Sequence, residues 1–238
     1  MIVGLIGGSA STNIYLPATA KTWPQLLAEL HDKECELYVR QQGMLTISRA
    51  LPLASSFPEV DVLLLSFATT LGWPVISKRI TRLLVPEFQS ETALHLAAFP
   101  SRSRVKRIKK LFRRFALNTL KYCAFPLGLY RPTNNLSDLE DQVRALVAIA
   151  SAKAKKVVWI QHQPMRDNRI WLERRVFDKY YRELIKTLSK VDQANFRFIA
   201  FPAEFLEQEN YCLDEVHLSE LGHRNLAQFL HHAGVLKA

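Results

Sequence analysis

Residues 62–67 read VLLLSF, and residues 157–161 read VVWIQ. Neither run alternates apolar with polar side chains; each is apolar almost throughout. A strand with one wet face alternates, whereas a strand covered on both faces reads as a near-continuous Val/Ile/Leu run. The two stretches therefore predict central strands of a parallel sheet with helices on both sides. Three further apolar runs, Ile2–Ile6, Glu36–Arg40 and Phe196–Phe201, complete a set of five strands. Helical patterns separate them. Thr22 is the expected N-cap of TWPQLLAELH, with Leu26, Leu27 and Leu30 on one face. Leu139, Val143, Leu146 and Ala150 recur at helical spacing, as do Leu172, Val176, Tyr180, Leu184 and Leu188. The last helix follows Ser219 as N-cap and stops before Gly234. Alternation of strand and helix, with right-handed crossovers, predicts an open, doubly wound α/β sheet. The expectation is one domain over residues 1–238.

Composition narrows the class. The chain has 238 residues, of which 48% are hydrophobic and 23% charged, as in ordinary globular proteins. It contains no run of about 18 apolar residues, the length a spanning helix needs. The opening MIVGLIG lacks the basic n-region of a signal peptide, so a cytoplasmic location is expected. Cys35, Cys123 and Cys212 are widely spaced and read as free structural thiols. No CxxC pair or HExxH helix points to a metal, and no cofactor is expected.

The net charge of +10 is concentrated in one place. From Thr92 to Ser137 there is no Asp or Glu, and the basic residues of that stretch match the whole net charge. It lies in an insertion at about residues 72–133, between the third and fourth strands. Val105, Ile108, Phe112 and Phe115 form one helical stripe there, and Arg104, Arg107, Lys110, Arg113 and Arg114 occupy the other faces. A charge run of this kind is usually a solvated surface. As a contact surface it fits an anionic polymer or an anionic membrane surface, the latter making the protein peripheral at the inner membrane. No nucleic-acid-binding motif accompanies it, which argues against nucleic acid.

Two stretches carry chemistry. In IVGLIGGS, residues 2–9, the first strand runs into two glycines and Ser9. Ligands of doubly wound sheets bind beyond the carboxyl ends of the strands, where strand order reverses, so Ser9 is a candidate by position. Near the other end stands DEVHLSELGH, residues 214–223. In a tight turn, the spacing of Asp214 and His217 brings a carboxylate beside the imidazole, fixing its tautomer and stabilising the imidazolium. A serine hydroxyl needs such a base within about 3 Å. His162 and Gln163, after the fourth strand, are candidate substrate contacts; His223 reads as a structural contact. A dinucleotide-binding loop is disfavoured, because the glycines stand at 4, 7 and 8 and G-x-G-x-x-G is absent.

The order of a strand ending in Ser, a glycine after the second strand and a terminal D-x-x-H-L-x-x-x-G-H resembles the SGNH/GDSL hydrolase superfamily. More narrowly, it is similar to bacterial members linked to surface-polysaccharide biosynthesis. The resemblance implies a three-layer, flavodoxin-like fold with five parallel strands. It implies Ser9 as nucleophile, His217 as general acid and base, Asp214 as orienting carboxylate, and an oxyanion hole from the backbone N–H groups of Ser9 and Gly43. It also implies an acylated carbohydrate or polysaccharide as substrate, for an esterase, deacetylase or O-acetyltransferase. Two positions depart from the family pattern. Gly8 stands where Asp is common, and the third strand ends in SFATT, with Ala68 or Thr69 where the family places an oxyanion-binding Asn. Loss of one such donor costs on the order of 100- to 1000-fold in rate, which leaves Thr69 or Asn13 as a replacement. The alternative expectation is a catalytically degenerate module that binds an anionic glycan, a membrane surface or a partner enzyme through its basic segment.

Overall fold

In the computed structural model, VLLLSF lies within β3 (Val60–Phe67), the middle strand of a five-stranded sheet. The structure describes residues 1–8, 11, 16, 17, 19–31, 34–42, 45–67, 74–76, 119–132, 136–161, 171–201, 205, 208–212 and 217–237. With β1 (Ile2–Gly7), β2 (Glu36–Gln41), a short ribbon of β4 (Pro74–Ile76) and β5 (Tyr130–Pro132), β6 (Ala154–Gln161) and β7 (Phe196–Ala200), the main sheet has the order β2-β1-β3-β6-β7. Every neighbouring pair is parallel. The predicted α/β architecture is the observed one. Between β1 and β3 the strand order reverses, which is where such sheets hold ligands.

The pleat sorts β3 between two core layers, as a strand period of two requires. Leu63, Leu65 and Phe67 join Val157 and Trp159 of β6 on one face, where Phe67 and Trp159 stack at 4.5 Å between ring centroids. That face is covered by α2 (Ile47–Ser55), α3 (Leu139–Lys153) and α4 (Trp171–Leu188). Val62 and Leu64 join Val158 and Ile160 on the other face, under α1 (Trp23–Glu29) and α5 (Glu220–His232). Each fully buried Leu or Val contributes about 1.5–3 kcal/mol relative to exposure, so the central strands dominate stability.

At the amino ends of the strands, Asp61 ties three together. Its carboxylate accepts from Ile2 N–H at 2.8 Å and pairs with Lys155 at 2.8 Å. The Lys155 hydrogen bond, with the Ile2 N–H second, holds its carboxyl below the usual range. At the far end of α5, Lys156 and Arg197 donate to the carbonyls of Gly234 (3.2 Å) and Ala233 (2.7 Å). Cations there complement the helix dipole, and Gly234, at φ 66°, makes the left-handed turn that ends the helix.

Several expectations change. α2 is absent from the sequence reading, because Pro52 interrupts the segment and argues against a helix. Thr46 caps it by accepting from Arg49 N–H at 3.3 Å. Leu30 does not share the buried face of Leu27: α1 ends at Glu29, and Leu30 is exposed. The cysteines form no disulfide, yet none is buried, and Cys123 is exposed. The two ends of the insertion pair as an antiparallel ribbon, Pro74 opposite Pro132 and Ile76 opposite Tyr130. Its return limb, helical over 119–124, packs Ala124, Phe125 and Leu129 on Leu172 and Val176 of α4. The basic residues Arg104, Arg107, Lys110, Arg113 and Arg114 lie outside the described residues. No helix among the described residues is long and apolar enough to cross a membrane.

Candidate active site

The β1–β3 ladder continues to the residue before Ser9: Gly8 N–H donates to Ser66 O at 3.1 Å. On the other side of β1, Gln42 N–H donates to Gly7 O at 3.0 Å. The chain then folds back at once. Ser11, fully buried, donates to Gly8 O through its N–H (3.1 Å) and its hydroxyl (2.7 Å). A Cβ on Gly7 would overlap Ser11 Oγ and displace that hydroxyl from its hydrogen bond to Gly8 O. Gln41, the last residue of β2, donates from Nε2 to Ser11 O at 2.6 Å. Gly8 and Ser11 therefore bracket residues 9 and 10 with both flanks held by named hydrogen bonds.

The second candidate segment centres on His217, which is 7% exposed. Tyr211 and Leu218 form an isolated antiparallel bridge, and Cys212 N–H donates to His217 O at 2.7 Å. These two contacts draw Cys212 and Tyr211 against His217 and Leu218, and residues 213–216 between them lie outside the described residues. His217 and Leu218 lead directly into α5. Ser219 Oγ accepts from Gly222 N–H (3.0 Å), the predicted N-cap, and donates to Glu209 O (2.6 Å). Ser219 N–H donates to Asn210 O (2.9 Å), and Asn225 Nδ2 donates to Asn210 Oδ1 (2.8 Å). Burial pushes the Tyr211 hydroxyl up to about 12, keeping it neutral beside the loop. Leu218 anchors the loop in the same core layer as Leu5 of β1 and Ile160 of β6.

Other sequence-selected residues separate by role. His223 is fully buried, and its Nδ1 accepts from Trp23 N–H at 3.1 Å, linking α5 to α1 as a structural contact. Gln161, at the end of β6, is buried and accepts from Trp159 Nε1 at 3.2 Å. Ser9, Asn13, Gly43, Thr69, His162, Gln163 and Asp214 lie outside the described residues. Among the described residues no cluster of three His, Cys, Asp or Glu side chains is arranged to hold a metal. The sequence reading missed Gln41 and Asn210 as groups that pin the flanking segments; Gly222 stood in the quoted D-x-x-H-L-x-x-x-G-H motif, but its contact with Asn210 was not read from it. Each depends on contact between segments distant in sequence, and no local pattern marks such contacts.

No protein-family model matches the chain, and no curated protein matches it in sequence. Solved structures do. A lipase, Lip_vut3, from a goat rumen metagenome is 14% identical with a TM-score of 0.55, over 99% of this chain and 98% of that one. An arginine-to-alanine variant of Axe2, an acetyl-xylooligosaccharide esterase from Geobacillus stearothermophilus, is 14% identical with a TM-score of 0.56, covering 98% and 94%. A member of the lipolytic G-D-S-L family from Veillonella parvula is 11% identical with a TM-score of 0.55, covering 97% and 96%. Two other Axe2 structures in this group are catalytic mutants, with a serine or a histidine replaced by alanine. At these identities the likeness is one of fold: the five-stranded parallel sheet and its helical layers match those of lipases and acetylxylan esterases over nearly the whole chain.

Proposed function

We propose that the chain is a serine acyl-ester enzyme of the SGNH type acting on an O-acylated carbohydrate. The observation that carries the proposal is the hydrogen bond from Gly8 N–H to Ser66 O, which runs the β1–β3 ladder to the residue before Ser9 at the point of strand-order reversal. The buried His217, whose backbone carbonyl accepts from Cys212 N–H just ahead of α5, supports the same reading. So does the fold shared with acetylxylan esterases in which a serine and a histidine are catalytic.

In this reading Ser9 Oγ attacks the ester carbonyl carbon, and its proton passes to the His217 ring. Asp214 holds that ring in the accepting tautomer and balances its positive charge. The backbone N–H groups of Ser9 and Gly43 donate to the tetrahedral oxyanion, with Thr69 or Asn13 as a third donor. The ester C–O bond breaks, and the leaving sugar hydroxyl takes the proton from His217. A water, or a second sugar hydroxyl, then gives its proton to His217 and attacks the acyl–Ser9 carbonyl; the bond to Ser9 Oγ breaks, Oγ takes the proton back from His217, and the acid or a new ester is released. His162 and Gln163 are substrate contacts in this scheme, and the basic segment favours an anionic glycan of the kind found in surface polysaccharides. The insertion, whose ends pair as a ribbon, belongs to a single domain over residues 1–238.

A second reading follows from one specific feature, the Ala68–Thr69 sequence in place of an oxyanion-binding Asn. It is a non-catalytic module that binds an anionic glycan, membrane or partner enzyme through Arg104, Arg107, Lys110, Arg113 and Arg114. Hydrolysis of p-nitrophenyl acetate and acetylated xylooligosaccharides separates the two. The proposal expects turnover that Ser9→Ala or His217→Ala lowers by about 1000-fold or more, with the double variant no worse than either single one. Hydrolysis unchanged in Ser9→Ala overturns it. Absent turnover, with salt-sensitive binding to an acidic polysaccharide that survives Ser9→Ala and weakens when Arg113 and Arg114 are neutralised, establishes the second reading instead.

A further inference from the structure

β2 is an edge strand: β1 pairs with one side, and no described strand pairs with the other. Its backbone direction follows from its neighbours. Glu36 N–H donates to Met1 O at 2.9 Å, and Gln42 N–H donates to Gly7 O at 3.0 Å. Even-numbered residues therefore turn their backbone groups toward β1, and Leu37, Val39 and Gln41 turn theirs outward. Tyr38 and Val39 are each 43% exposed. Proteins protect such edges with proline, charged side chains or a bulge; ELYVRQ has no proline and pairs with β1 in unbroken register, and its charges are one acid and one base, Glu36 and Arg40.

The same six residues are self-complementary. Laid antiparallel against a second copy about an axis through Tyr38, Glu36 falls opposite Arg40 of the second copy, and Arg40 opposite its Glu36. Leu37 meets Val39 of the second copy at positions where both backbones face the partner and exchange hydrogen bonds. The two Tyr38 rings meet on the axis. Moving the axis to Val39 sets Arg40 against Tyr38 and Glu36 against Gln42; moving it to Leu37 sets Glu36 against Tyr38 and leaves Arg40 only Glu34, which precedes the strand, as an acidic partner. Both charges are already held at the edge. The Arg40 guanidinium donates to Ser56 Oγ and lies 5.3 Å from the centre of the Phe57 ring, and the Glu36 carboxylate accepts from Tyr38 Oη at 2.8 Å. A shallow groove lined by Tyr38, Arg40, Phe57 and Pro58 runs beside the strand and offers space for the partner's tyrosine.

We infer that β2 is a homodimer interface, in which two copies pair these strands antiparallel about Tyr38 and continue one sheet through both molecules. Opposite charges facing each other across an antiparallel pair attract, and like charges repel; two-fold symmetry doubles each effect. Charge reversal tests the register directly. Sedimentation equilibrium on the full chain is expected to show a concentration-dependent dimer. Glu36→Arg, which sets Arg against Arg40 twice, weakens dimerisation by about 10- to 30-fold. Glu36→Arg combined with Arg40→Glu restores it. Circular dichroism and urea unfolding of each variant verify that the fold is intact. A wild-type chain monomeric at every concentration overturns the inference, as does a dimer that Glu36→Arg leaves unchanged. A folded double variant that stays monomeric overturns the register about Tyr38. The inference is independent of the chemistry proposed for Ser9.

Discussion

Gly222 lies where the first turn of α5 crosses the main chain at Asn210, and a Cβ there would overlap the Asn210 carbonyl oxygen. That carbonyl also accepts from Ser219 N–H, one residue past the loop that holds His217. The obstacle is backbone, so it cannot rotate aside as a side-chain end would. Gly222→Ala is expected to lower unfolding stability by about 1–3 kcal/mol, the usual cost of overpacking, measured by urea denaturation. It is also expected to reduce ester hydrolysis in protein that remains folded, because the displaced contact sets the loop. Gln41 works at the same scale on the other loop, where its Nε2 holds the carbonyl of Ser11.

At the scale of elements, the amino ends of β1, β3 and β6 meet at Asp61. Its folded-state pKa is lowered, chiefly by the hydrogen bond from Lys155 and next by Ile2 N–H. A carboxyl with a depressed folded pKa contributes stability that is present above its unfolded value near 4 and is lost as pH falls through the folded value. Asp61→Asn is therefore expected to flatten the acid limb of the stability profile below about pH 5, and, because Asp61 also raises the Lys155 pKa, to remove the matching loss of stability at alkaline pH. Urea midpoints across that range measure it, and an acid limb as steep as wild type would contradict it. The same elements show what could be read in advance. Central strands were legible because burial on both faces leaves an unmistakable apolar run, and α3 and α4 because their stripes are regular. α2 was hidden by Pro52, and the β4–β5 ribbon by its three-residue strands. Of the candidate residues, Ser9 and His217 were selected from residue type and spacing, and Ser9 lies outside the described residues. The contacts of Gln41 and Asn210 were not legible, since they exist only after separate segments meet, and Gly222 was legible as a motif position but not in its contact with Asn210.

On the scale of the whole molecule, one sheet sets the geometry and an insertion leaves and returns at a single ribbon. Ile76 opposes Tyr130, so an Asn-Gly turn can join them directly. With residues 77–129 so replaced, the five-stranded core is expected to unfold cooperatively but with about 2–4 kcal/mol less stability, because Leu172 and Val176 lose their cover. Loss of cooperative unfolding would contradict the single-domain account. The central claim is that the two ends of the chain build one acyl-transfer site around Ser9. Its most direct test is reaction of the folded protein with a fluorophosphonate, followed by peptide mass spectrometry. The account predicts a phosphonyl adduct on Ser9 that His217→Ala slows by about 1000-fold or more. Absence of an adduct on Ser9, or labelling indifferent to His217, would contradict it.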